Sequence, residues 1–149
     1  MIKTSTDLIK SVKNDDFSKY LVKDYRHWSV YVNQNQGYLG RCIVWCKRES
    51  ALDLTHITKA EQNELHDILK LLVRATTNAF HSDWYNYAFL GNEIRHLHCH
   101  FIPRYSSSRT FQGMVFEDKL WGKNYQTAKN FVTPPEILEM VRLKLIDEL

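Results

Sequence analysis

The sequence predicts an α+β domain: an antiparallel β-sheet meander with one long helix packed on it and a second helix at the C-terminus. Three observations carry this reading. Short runs of β-branched and aromatic residues joined by polar loops read as antiparallel strands. A capping box followed by a long apolar stripe reads as an amphipathic helix. A Thr-Pro-Pro-Glu sequence near the end opens another helix. Helices set apart from the strands, rather than alternating with them, separate this class from parallel α/β folds.

The elements follow in chain order. Thr6 to Lys13 reads as a short helix, with Thr6 as cap and Leu8, Ile9 and Val12 at helical spacing. Trp28–Val32 and Arg41–Cys46 read as two strands of a hairpin whose polar turn is Asn33-Gln34-Asn35-Gln36-Gly37. In Thr58-Lys59-Ala60-Glu61 the Thr hydroxyl accepts from an early backbone N–H, and the Glu carboxylate reaches back to the cap N–H. Leu65, Ile68, Leu69, Leu72, Val73 and Phe80 then share one face, and the helix ends near Ser82. Trp84–Leu90 is a third strand and His96–Arg104 a fourth. A loop broken by Gly113 and Gly122 leads to the last helix, with Leu138, Val141, Leu145 and Leu149 on one face.

A chain of 149 residues with 44% hydrophobic and 25% charged content suits a single domain over residues 1–149 and excludes disorder. Lys and Arg total 20 against 17 Asp and Glu, a net charge of +3, which excludes a nucleic-acid-coating protein. No apolar run approaches the roughly 20 residues of a membrane span. Met1-Ile2-Lys3-Thr4-Ser5 is not followed by the apolar stretch of a secretory signal. The three cysteines, Cys42, Cys46 and Cys99, read as buried reduced thiols of a cytoplasmic protein, since an odd number cannot pair off and no second metal half-site accompanies the C-x3-C spacing.

The chemistry is concentrated in His96-Leu97-His98-Cys99-His100-Phe101-Ile102, where three of the seven histidines stand at alternate positions. On a strand, residues two apart share a face, so the three imidazoles point one way and Leu97, Cys99 and Phe101 the other, into the core. Such a row has three readings. It can bind a metal, since imidazole is a common zinc ligand. It can act on a phosphate, because a neutral imidazole is a nucleophile near pH 7 and an imidazolium is a proton donor. It can also be a row of surface histidines without a role.

With its flanks, Gly91-Asn92-Glu93-Ile94-Arg95 before and Pro103-Arg104 after, the segment resembles the signature of the histidine triad (HIT) nucleotide-binding family, near its dinucleoside polyphosphate hydrolase branches. Asn33, with Gly40 seven residues later and then Ile43-Val44, resembles the family's hairpin, and the likeness covers about residues 25–105. It implies a HIT-like fold. It implies His98 as nucleophile, attacking the α-phosphorus of a nucleoside phosphoramidate or (di)nucleoside polyphosphate to form a nucleotidyl-histidine that water hydrolyses. His100 would bind the α-phosphate and bridging atom, and His96 would orient the other rings. Asn33 would bind the ribose, Asn92 would donate to phosphate oxygens, and Glu93 would flank the nucleotide, turned away from phosphate or paired with Arg95 or Arg104. No cofactor or metal is required in the family, which forms homodimers and acts on purine nucleotides. A nucleotide-binding regulatory module with little catalysis is the alternative.

The chain departs from the family pattern at Arg41 and Glu49, where histidines are common, at Asn92 in place of Gln, and at Glu93 in place of a small hydroxyl residue. Arg104 and Arg109 are candidates for holding distal phosphates, since guanidinium forks match phosphate oxygens, or else loop arginines. Tyr38 and Phe17 flank an adenine or fill the core. Trp121 packs against the core or reaches a partner's site. His27, His56, His66 and His81 read as surface or helix residues.

Overall fold

The computed structural model describes residues 3–4 and 17–149; the helix expected over residues 6–13 lies outside the described residues. The elements are β1 (Lys3–Thr4), a 3-10 turn (Phe17–Tyr20), β2 (Leu21–Asp24), β3 (Trp28–Val32), β4 (Cys42–Cys46), a second 3-10 turn (Leu54–His56) and α1 (Lys59–Phe80). After them come β5 (Trp84–Ala88), β6 (Ile94–Arg95), β7 (His98–Arg104), β8 (Arg109–Phe111), β9 (Met114–Phe116) and α2 (Pro135–Glu148).

Five strands form one antiparallel sheet in the order β2-β3-β4-β7-β5. The first three are a meander. Helix α1 then carries the chain to the far edge, where β5 lies, and β7 returns into the gap between β4 and β5. Residues 94 and 95 pair in parallel with β1. The chain bends at His96, whose N–H donates to the Ile94 carbonyl at 2.9 Å. The fourth strand therefore begins at His98, two residues later than the periodicity predicts, and the third ends at Ala88 rather than Leu90.

Alternation sorts the sheet's two faces. Trp28, Val30 and Val32 of β3, Cys42, Val44 and Cys46 of β4, and Cys99 and Phe101 of β7 are all buried. Together with Leu65, Ile68, Leu72 and Ala75 of α1, and Val141 and Leu145 of α2, they make the core. All three cysteines are free and buried there. Helix α1 starts as the capping box predicts: Thr58 Oγ1 accepts from the Glu61 N–H at 3.2 Å and a Glu61 carboxylate oxygen accepts from the Thr58 N–H at 2.9 Å. Glu61 is also held by the Arg48 guanidinium at 2.6 Å, which with the backbone donors lowers its carboxyl to about 2. No helix is long and apolar enough to cross a membrane among the described residues.

The hairpin between β3 and β4 touches α1 at Gly40. This residue has φ +83°, and a Cβ there would meet Phe80 at 3.0 Å and Thr76 at 3.1 Å. Gly40→Ala is therefore expected to destabilise the fold by about 2 kcal/mol, from left-handed strain plus overpacking. Urea unfolding checks this; an unchanged midpoint contradicts it.

Candidate functional site

The histidine row lies on the sheet face away from the helices. His98 and His100 pair in register with Trp45 and Ile43 of β4, so alternate residues of both strands project together, as the period of two predicts. Leu97, Cys99 and Phe101 are buried in the core. His96 sits in the bend before the strand, yet its ring stays with the others through Trp45. The Trp45 indole stacks on His96, with ring centres 4.1 Å apart and planes at 17°, and on His98 at 5.3 Å and 22°. His98 and His100 meet edge to face, 5.0 Å between centres.

Hydrogen bonds fix the tautomers, because a carbonyl oxygen can only accept. The His96 Nε2–H donates to the Cys46 carbonyl at 2.7 Å. The His98 Nδ1–H donates to the His96 carbonyl at 2.7 Å. The proton of a neutral His98 is thereby held at Nδ1, and its Nε2 keeps a free lone pair. Among the described residues His96 Nδ1 and His100 Nδ1 are buried without a hydrogen-bond partner. Burial holds His96 and His98 below the ordinary imidazole range. His100 is pushed down to about 4, first by burial and then by His98 and the positive charge of Arg41. These shifts favour the uncharged rings at neutral pH, so the His98 Nε2 lone pair is available without prior deprotonation.

These shifts have a consequence for stability. Between about pH 6.5, where an unfolded histidine titrates, and about 4, where folded His100 does, the unfolded chain binds protons that the folded rings reject. Stability thus rises with pH across this window and is lost as the medium is acidified. The expected change is of order 2 kcal/mol, and His100→Gln should flatten the slope. Urea midpoints measured from pH 7 to pH 4 check it; a wild-type midpoint that holds steady contradicts it.

A pocket of about 380 Å³ opens over His98 and His100, with Gly91, Asn92, Glu93 and Ile94 on one rim and Tyr125, Thr127 and Lys129 on the other. Asn92 and Glu93 are exposed at this rim, as their place before the triad suggests. Among the described residues Glu93 forms no ion pair with either Arg95 or Arg104.

Six expected positions lie outside this pocket's lining. Asn33 is not among the lining residues; its Oδ1 accepts from the Asn35 N–H at 2.9 Å and shapes the hairpin turn. Arg104 is buried and spends all its N–H donors inside the chain: on Asp118 at 2.7 and 3.1 Å, on Asn86 at 2.6 Å, and on the Lys123 and Leu120 carbonyls, both at 2.8 Å. No donor is left for a phosphate, so the assignment of Arg104 to nucleotide binding is corrected to a structural one, clamping residues 118–123 to the sheet. Arg109 likewise holds Asp83, the His81 carbonyl and Ser107. Tyr38 is buried, its ring under the Arg104 guanidinium at 5.3 Å and its hydroxyl bonded to the Gln126 backbone, and neither Tyr38 nor Phe17 lines the pocket. Trp121 is exposed beside Arg104 in a neighbouring depression.

Sequence reasoning missed Trp45 and the tail residues Tyr125, Thr127 and Lys129 as parts of this site, and did not give Arg41 a role. Trp45 was visible only as a strand residue, since its place beside the triad depends on the β4–β7 register. Among the described residues no group of three or more His, Cys, Asp or Glu side chains is placed to hold a metal ion.

The HIT domain family model matches residues 8–107. No curated protein matches the chain. Among solved structures, the chain is similar to a hypothetical histidine triad nucleotide-binding protein from Sulfolobus tokodaii, at TM-score 0.70 and 17% identity, over 93% of this chain and 88% of that one. It is similar to a histidine triad protein from Sinorhizobium meliloti at TM-score 0.71 and 16% identity, over 90% and 93%. It is also similar to the diadenosine triphosphate hydrolase of Plasmodium falciparum at TM-score 0.61 and 13% identity, over 87% and 75%. At these identities the likeness establishes the fold.

Proposed function

The chain belongs to the HIT family, and from that premise we propose that it is a nucleotidyl hydrolase or transferase. Its substrate is a purine nucleoside phosphoramidate or (di)nucleoside polyphosphate, cleaved at the α-phosphate. The observation that carries this reading is the His98 ring itself: its Nδ1–H is donated to the His96 carbonyl, its Nε2 is left for the pocket, and burial lowers its pKa.

The chemistry follows from that ring. The His98 Nε2 lone pair attacks the α-phosphorus, and the bond from phosphorus to the leaving atom breaks with its electron pair going to that atom. The ring is cationic in the resulting adduct, and the Nδ1–H···O=C bond to His96 strengthens as charge develops there. Water then attacks phosphorus and passes a proton to His100, which recovers the one given to the leaving atom; the P–N bond breaks, and its electron pair returns to His98. His100, neutral in the empty site, gains basicity beside a phosphate anion and so becomes able to pass a proton to the leaving atom. His96 is a positioning residue, held by Cys46 and Trp45. The Asn92 amide donates to phosphate oxygens, and Glu93 meets the nucleotide away from its phosphates, because two anions repel. A homodimer without a required metal is part of the proposal, on the family resemblance.

Incubation with adenosine phosphoramidate and with diadenosine triphosphate tests this reading. AMP release from at least one of them is expected. Binding of AMP with release from neither contradicts it and leaves a nucleotide-binding module.

A further inference from the structure

Arg41 is the pocket's unexplained charge. It immediately precedes β4, and by the alternation of residues 41, 43 and 45 it shares the sheet face with Ile43 and Trp45. Only 4% of it is exposed. One Nη1–H donates to the Thr127 hydroxyl at 2.9 Å, and the Tyr125 ring lies 5.6 Å from the guanidinium carbon. Among the described residues its Nε is buried with no partner, and no carboxylate forms an ion pair with it. A buried cation with an orphaned donor is costly unless something supplies the missing acceptor and negative charge. Among the described residues nothing does so, whereas the equally buried Arg104 has Asp118.

The position of Arg41 says what the missing anion is. Ile43 lies opposite His100 and Trp45 opposite His98, so the order along the face is His98, His100, Arg41. If His98 attacks and His100 stands by the bridging atom, the next group along the row is the one beyond that bridge. Lys129 lines the same pocket and adds a second cation, against the single carboxylate of Glu93. Tyr125, Thr127 and Lys129 all lie beyond the residues that the family model matches, so this wall belongs to the tail.

We infer that Arg41, with Thr127 and Lys129 of the tail, forms a subsite for a phosphate in the leaving group, so that the enzyme selects nucleoside or dinucleoside polyphosphates over phosphoramidates with neutral amine leaving groups. The inference rests on the proposed reaction for its substrate class, but not for the presence of an anion site. A guanidinium gives an oxyanion two donors in fixed geometry. Lys129, exposed and flexible, adds a weaker point charge.

Two measurements on wild type, Arg41→Gln and Lys129→Gln test it. The first is calorimetric binding of inorganic tripolyphosphate. Arg41→Gln is expected to weaken it by about tenfold or more, and Lys129→Gln by about threefold. The second is kcat/KM for diadenosine triphosphate relative to adenosine phosphoramidate, a ratio expected to fall about tenfold or more in Arg41→Gln. Equal losses on both substrates would put Arg41 on the α-phosphate and overturn the inference. So would unchanged tripolyphosphate binding. If the wild type turns over neither substrate, yet Arg41→Gln still loses tripolyphosphate, the proposed reaction fails and the anion site stands. Should Arg41→Gln not fold, Lys129→Gln carries both readouts, and no change in either then overturns the inference.

Discussion

Replacing His98 with alanine is expected to lower turnover by at least about a thousandfold while leaving a folded protein that still binds AMP. The size follows from the role, since a covalent nucleophile has no substitute within the pocket. His100 does not replace it: its ring meets His98 edge to face, and burial, with His98 and Arg41 adding to it, holds its pKa down to about 4. The fold survives because His98 projects from the sheet face opposite the helices, and its neighbours in sequence, Leu97 and Cys99, supply the core contacts. The side chain is buried by Trp45 and His100 rather than by the core, and the space it vacates opens into the pocket. Circular dichroism and thermal unfolding separate the outcomes. Loss of structure contradicts the placement of the ring, and turnover within tenfold of wild type contradicts its role.

Replacing Asp118 with alanine should have the largest effect on stability, about 3 to 5 kcal/mol. Arg104 and Asp118 are both buried, so removing the carboxylate strands a guanidinium in the interior. The same carboxylate accepts from the Tyr105 N–H at 3.2 Å and the Leu120 N–H at 3.1 Å, which also lose their partners. For a chain of this length the melting temperature should fall by roughly 10 °C. The loss should reach the pocket as well. Residues 118–123 are pinned by Arg104, and the chain from there supplies Tyr125, Thr127 and Lys129. KM is therefore expected to rise more than kcat falls. A variant within 1 kcal/mol of wild type would show that the clamp contributes little.

The fold could be read from the sequence wherever a local pattern has one physical solution. β3 and β4 alternate β-branched and aromatic residues between polar turns, and they appear within a residue of their predicted bounds. The Thr58–Glu61 box fixed the start of α1, and the left-handed His81 ends it one residue before Ser82. The histidine row was legible because a period of two is itself the geometry of a strand. What stayed hidden depends on partners distant in sequence. β2 is a four-residue edge strand with two exposed positions, too short and mixed to signal itself. The insertion of β7 between β4 and β5 follows from packing, not from any residue within those strands. Arg104 looked available for phosphate because nothing within ten residues of it announces Asp118. In the sequence Arg41 stands out only as a departure from the family pattern. Its meaning rests on the tail, which the hydrophobic pattern left as loop.

In the proposed mechanism, catalysis passes through a covalent nucleotide on the His98 ring. The most direct measurement of that adduct is a rapid quench of the enzyme with substrate into alkaline denaturant, which spares the acid-labile P–N bond, followed by peptide mass spectrometry. A transient mass increase of one nucleotidyl group on His98, rising and decaying with turnover and absent in His98→Ala, is the expected result. Steady turnover with His98 unmodified at every quench time would contradict the account.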